Sequence, residues 1–209
     1  MHPSTKDRIY SVAKIALIVD LLRDEGIPVE QALSDVSLSS EQLRSPATKV
    51  SAAQVLQSYR NAIRLSGNPR LAYHAGSKSS VSTYGIYGLA ILSSTNFRET
   101  MAFAMAYHQL ATPLMDIRFN EEAGTAVWIV TPTHCLDIDE QLYRFIVELQ
   151  MAVHLSLHRN IMGPTFKPAL VHYNVGRSLD DGSGAAFLDC PVLYDQPENR
   201  FAFDAAWLD

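Results

Sequence analysis

Positive charge is in short supply in this chain. Its 209 residues include 17 Lys and Arg against 22 Asp and Glu, a formal net charge of −5. Holding nucleic acid needs a basic face, so these residues are not expected to grip DNA by themselves. Cysteine is scarcer: Cys135 and Cys190 alone are too few for a disulfide framework and fit a reduced, cytoplasmic setting. No apolar run approaches the ~18 residues of a membrane span. The apolar stretch 15–19 lies between Lys14 and Asp20, with no small-residue cleavage site behind it, so it is not a secretory signal. Neither a P-loop nor Gly-x-Gly-x-x-Gly is present, so no phosphate cradle is indicated. Gly-x-Ser-x-Gly is missing as well. The expectation is a soluble protein with no membrane contact, no cofactor and no enzyme signature.

What is present is an ordinary globular composition, 47% apolar and 19% charged. That excludes general disorder, and the length suits one domain. Helical spacing dominates the first half. Ile9, Val12, Ala13, Ala16, Leu17 and Leu21 mark one face of a helix over 9–22, stopped by Gly26 and Pro28. Short helices are expected over 29–36 and near Ser39 or Ser40. Ser51 with Gln54 is a capping-box pair, opening a helix that ends before Gly67-Asn68-Pro69. A further turn covers 71–75, and Asn96 with Glu99 opens a helix that carries Met101, Met105 and His108. The second half changes period: 116–119 alternates before a turn at 121–124 and a return strand over 125–131, the pattern of a hairpin. Asp137 or Asp139 opens a long helix over 140–159. A strand over 169–175, a short helix within 180–188 and a final hairpin of 192–194 with 200–203 complete the order. Helices first and antiparallel strands later argue for an α+β fold, a helical layer on a mostly antiparallel sheet with one long helix.

Chemistry was sought in the histidines. His154 and His158 are four apart on the long helix and share a face, a spacing at which two imidazoles can grip one zinc ion. Leu155 stands where His-Glu-x-x-His carries its general base, and no third ligand is indicated, although His134 and Cys135 lie upstream. A polar helix edge accounts for the pair more simply. Cys190, in Asp189-Cys190-Pro191, has no base beside it and reads as a small buried hydrophobe.

The segment 81–94 stands out instead. It is apolar, carries Tyr84 and Tyr87, and is punctuated by Gly85 and Gly88. With Tyr107 and His108 further on, these residue types suit the lining of a small-molecule pocket. They equally suit tyrosines that fill a core, with glycines allowing close packing.

The same segment, Tyr84-Gly85-Ile86-Tyr87-Gly88-Leu89-Ala90-Ile91-Leu92-Ser93-Ser94, resembles the Tyr-Gly-x-x-Gly-Tyr-Ala-x-x-Ser-Ser block of the N-terminal sensor domain in one branch of AraC-type bacterial transcription regulators. Glu25-Gly26-Ile27-Pro28, Val50-Ser51-Ala52-Ala53-Gln54 and Ser66-Gly67-Asn68-Pro69 precede it in that family's order. Residues 100–114, Phe187-Leu188-Asp189-Cys190-Pro191-Val192 and Ala206-Trp207-Leu208-Asp209 follow, so the resemblance covers nearly the whole chain. It departs at Asp189, where the family has glycine, and at Tyr87, which stands before Gly88 instead of after it.

The resemblance implies a single effector-binding and dimerisation domain over 1–209, with the helix-turn-helix DNA reader absent from this chain. It implies a small-molecule effector, a homodimer, and DNA contact only through the reader. An effector between helical layer and sheet would meet Tyr84, Tyr87, Tyr107 and His108, with Trp128 and Tyr143 from sheet and long helix, and Met101 or Met105 as apolar contacts. A ligand-independent dimerisation module, pairing through the apolar face of the long helix, is the alternative.

Overall fold

The structure, a computed structural model, describes residues 4–94, 96–133, 137–177 and 183–209. The chain opens with a two-residue strand, β1 (Tyr10–Ser11), before α1 (Ala13–Asp24). Helix was expected from Ile9 onward. Tyr10 and Ser11 instead pair antiparallel with Val50 and Lys49 of β2 (Lys49–Val50), a long-range partner that overrides the local helical period. Between them lie α2 (Val29–Ala32) and α3 (Ser40–Arg44). After β2 come α4 (Ala52–Leu65), α5 (Leu71–Ser77), the 3₁₀ turn Val81–Tyr84, α6 (Ile86–Leu92) and α7 (Phe97–Tyr107).

Side-chain caps set several of these starts. The Ser51 hydroxyl accepts from Gln54 N at 3.2 Å, and the Gln54 amide oxygen accepts from Ser51 N at 3.1 Å. Ser39 and Gln42 form the same box, and Asn96 Oδ1 accepts from Glu99 N at 2.8 Å. Each satisfies backbone N–H groups that a helix start leaves orphaned.

The second half holds a hairpin of β3 (Met115–Glu122) and β4 (Thr125–Pro132), the long helix α8 (Glu140–Met162), β5 (Leu170–His172), α9 (Ser183–Leu188), β6 (Val192–Leu193) and β7 (Asn199–Asp204). The hairpin turn is Ala123-Gly124, both at positive φ (48° and 81°), the two-residue geometry whose twist matches the strands. Asp139 Oδ1 caps α8 by accepting from Leu142 N at 2.8 Å.

The main sheet runs β3-β4-β7-β5-β6, antiparallel except for β5 with β6. A hairpin of the last two strands was expected. It does not form, because both edges of β7 are taken, by β4 and by β5. β6 adds outside β5, reached through α9, since a parallel neighbour needs a crossover.

Register places Phe119, Trp128, Phe201 and Val171 opposite one another, so they share one sheet face. All but Phe119 are buried. Helix α8 packs on this face, and α4 and α5 pack on α8. Helices α4 and α5 therefore rest on α8 and not directly on the sheet, whereas α7 meets β3 directly. On the opposite face Arg118 and Arg200 flank Ile129, and Glu198 accepts from both, at 2.9 Å and 3.1 Å.

Candidate functional site

Above the Phe119–Trp128 stripe the packing leaves a cavity of about 70 Å³, several times the ~10–15 Å³ that one water molecule fills on that measure. Its floor is Ile117 and Trp128. One wall is Gln150, Val153, His154, Leu157, His158 and Ile161 of α8. Those positions recur at intervals of three and four, so one helix face presents them. The roof is Tyr84, Tyr87 and Ile91, and the remaining wall is Phe97, Thr100, Met101, Ala104 and His108 of α7 and the turn after it.

Five sequence-predicted residues meet here: Tyr84, Tyr87, Met101, His108 and Trp128. Three do not. Tyr107 is 49% exposed, with its ring 4.8 Å from Phe103. Met105 packs against the core at the edge of the α7 stripe and lies outside this lining. Tyr143 sits elsewhere on α8, where its hydroxyl donates to Asn174 Oδ1 at 3.0 Å and accepts from Asn199 Nδ2 at 3.1 Å. That network joins α8 to β7 and the strand end after β5.

The two histidines have partners other than a metal. Trp128 Nε1–H donates to His158 Nε2 at 3.1 Å. Indole nitrogen can only donate, so Nε2 carries the lone pair and Nδ1 the hydrogen. That Nδ1–H donates to the His154 carbonyl at 2.7 Å. Both ring nitrogens of His158 are occupied, which leaves no lone pair for zinc. His154 stacks on Trp128, centroids 5.1 Å apart, and its Nε2 faces the Gln150 amide at 3.4 Å. Burial drives His154 down to about 3, helped by neighbouring His158, and His158 to about 4. Both are neutral at pH 7. Among the described residues no cluster of three or more His, Cys, Asp or Glu could hold a metal ion, and His134 and Cys135 lie outside them. Cys190 is half-buried, and burial beside Asp189 pushes its thiol up to about 11, so it is a poor nucleophile.

The roof is held by its own contacts. The Tyr84 and Tyr87 rings lie 6.2 Å apart. The Tyr87 hydroxyl donates to the Ala104 carbonyl at 3.4 Å, tying α6 to α7. A Cβ on Gly88 would overlap the Val81 carbonyl oxygen, so glycine is what lets α6 lie against the 3₁₀ turn. Burial raises both phenols, Tyr87 to about 12 and Tyr84 further, which keeps them as neutral hydroxyls.

A second, smaller cavity of about 40 Å³ adjoins the first across Tyr84, Thr112, Gln150 and Val153, which line both. Lys14, Tyr59 and Thr83 add polar atoms to it. Among the described residues neither cavity has a carboxylate in its lining. Sequence reasoning missed Lys14, Tyr59 and Gln150. The visible signals were a lone charge within the apolar stretch of α1, and the face shared by Gln150, His154 and His158 on α8.

An α+β domain with a largely apolar cavity under a short helical roof is the class this architecture defines. Residues 26–209 match the family described as the arabinose-binding domain of AraC transcription regulators, N-terminal. The chain belongs to that family. Over 103 residues it is 34% identical to the ornithine utilization regulator of Pseudomonas aeruginosa, covering 49% of this chain and 30% of the relative. An HTH-type transcriptional regulator of Mycobacterium tuberculosis is 24% identical over 126 residues, 60% of this chain and 37% of the relative. The chain thus spans about a third of the length of the relatives it matches. The crystal structure of transcriptional regulator CdpR from Pseudomonas aeruginosa shares the fold, with a TM-score of 0.66 at 14% identity over 92% of this chain and 55% of that one.

Proposed function

We propose that this chain is the effector-sensing module of a bacterial transcription regulator. A small molecule occupies the cavity between α6, α7, α8 and the β3–β4 hairpin, with Tyr84, Tyr87, Met101, His108 and Trp128 among its contacts. DNA is held by a separate helix-turn-helix domain of the parent protein, which acts in the cytoplasm as a homodimer. The effector works by binding one conformation of the domain better than another, the only way a ligand can shift such an equilibrium.

The observation that carries this reading is the largely apolar cavity between α6, α7, α8 and the sheet of a domain whose relatives are transcriptional regulators. Melting the domain against a metabolite panel tests it. An effector present at about 100 times its Kd adds roughly 2.7 kcal/mol of stability. If no compound raises the melting temperature, the sensor reading fails.

Ligand-independent dimerisation has one observation in its favour. Ile86, Leu89 and Leu92 of α6 are 87%, 65% and 56% exposed, and their spacing puts them along one side of the helix. The face of α8 expected to pair is spent inside the chain, since Leu142, Phe145, Ile146 and Val153 are all buried. Sedimentation of wild type and Leu89→Glu decides the matter. A dimer dissociated by the substitution supports pairing through α6, and a monomeric wild type at micromolar concentration removes it.

A further inference from the structure

Lys14 is the one formally charged side chain in the lining of the two adjoining cavities. It projects from α1 among Leu17, Ile18, Tyr59 and Tyr84, and its Nζ lies 4.6 Å from the centroid of the Tyr84 ring. No carboxylate among the described residues pairs with it. Lys14 is half-buried with its ammonium over the Tyr84 ring, and such contacts offset only part of the cost of partly desolvating an ammonium. Tyr59 and Tyr84 line the same small cavity, and neither hydroxyl makes a hydrogen bond to the chain among the described residues. One ammonium and two phenols thus line one space that has no carboxylate among the described residues. Next door, the larger cavity offers Trp128, Phe97, Met101 and Ile117 and no charge.

From this juxtaposition we infer that the effector is a compact monocarboxylate with an apolar aryl or alkyl body, its carboxylate on Lys14 and its body in the Trp128 cavity. This rests on the sensor reading of the same site and narrows it to a ligand class. Tyr84 and Gln150 stand in the shared wall, so a ligand spanning both spaces turns one of them aside. Tyr84 also carries the ring under Lys14, so the carboxylate would exchange a cation–π contact for an ion pair at the roof of the cavity. A cationic effector is disfavoured, because the lining offers no counter-charge for a second ammonium.

Burial without a paired anion pulls Lys14 down to about 8. The ammonium therefore still predominates at pH 7, and a bound carboxylate would favour it further. The other titratable groups facing these spaces are Tyr59, Tyr84 and Tyr87, all pushed upward, His154 and His158, both pushed downward, and His108. Lys14 is the cation of the site that loses its charge as pH rises through about 8.

Octanoate and 3-phenylpropanoate, each beside its neutral primary amide, are the probes. Titrated at pH 7, the acids are expected to bind at least tenfold tighter than the amides. Lys14→Met should bring acid binding down to the amide level, and Lys14→Arg should keep the preference. If Lys14→Met does not fold, wild type alone decides: acid affinity falls as pH rises from 8 to 10 while amide affinity stays level. Amides binding as tightly as acids, a preference that survives Lys14→Met, or an acid affinity indifferent to that pH rise overturns the inference and leaves the sensor reading standing. No binding by either acid also overturns it. The sensor reading falls with it only if the amides and a panel of neutral and cationic metabolites are silent too.

Discussion

Trp128 reaches the interior from β4, the strand between β3 and β7, and its indole fixes the tautomer of His158 through a single donated hydrogen bond. Removing that donor leaves a buried acceptor unpaired, which costs about 1–3 kcal/mol before any loss of packing. Trp128→Phe is therefore expected to lower stability by about 2–4 kcal/mol, measured by denaturant unfolding. The two buried histidines also set a pH dependence. Their folded values lie below the ordinary 6.5 of an unfolded chain, so the unfolded state binds more protons across that gap. Stability they contribute is fully present above about pH 6.5 and is lost as pH falls through 4 towards 3. Melting scans should show this acid loss, and His158→Leu should make it shallower. An unchanged pH profile in that variant would contradict the assignment. The pair's spacing was visible in the sequence, but its meaning was not. A helical i,i+4 histidine pair looks the same whether it holds a metal or accepts from an indole on a distant strand.

At the scale of elements, local chemistry predicted more than long-range pairing did. The starts of α4 and α7 could be read from Ser51 and Asn96, and those of α3 and α8 to within two residues, Ser39 or Ser40 and Asp137 or Asp139, of which Ser39 and Asp139 cap, because a cap is a contact between residues three apart. The β5–β6 pairing could not, since nothing in residues 192–203 tells β7 that its second edge will be taken by β5. Helical phase explains the site residues. Phe97, Thr100, Met101, Ala104 and His108 lie on one stripe facing the cavity, while Met105 and Tyr107 fall on either side of it. Two glycines are load points of close packing. A Cβ on Gly76 would overlap that of Ala152 and crowd the α8 backbone, so Gly76→Ala should separate α5 from α8 and cost about 1–3 kcal/mol. Gly88→Ala should instead displace α6 from the turn beneath it. Its signature is weaker ligand binding with a smaller change in unfolding free energy. Equal and large losses of stability from both substitutions would show that α6 is part of the global core and not a separate roof.

For the whole molecule, the net charge of −5 offers phosphate contacts no net attraction. Among the described residues no helix is long and apolar enough to cross a membrane. The fold is α+β, as the order of periods implied, but its layering depends on α8 lying between the sheet and helices α4 and α5, while α7 meets β3 directly. That placement turns one face of α8 towards Trp128 and makes the cavity. The most direct test of a cavity-based sensor is calorimetric titration of the compound that most stabilises the wild-type chain into wild type and Ala104→Leu. Ala104 lines the cavity wall, and the larger side chain fills space that the ligand needs. Binding weakened at least tenfold in a variant that melts within a few degrees of wild type is the predicted result. Unchanged affinity in that folded variant would place the ligand elsewhere and contradict the account.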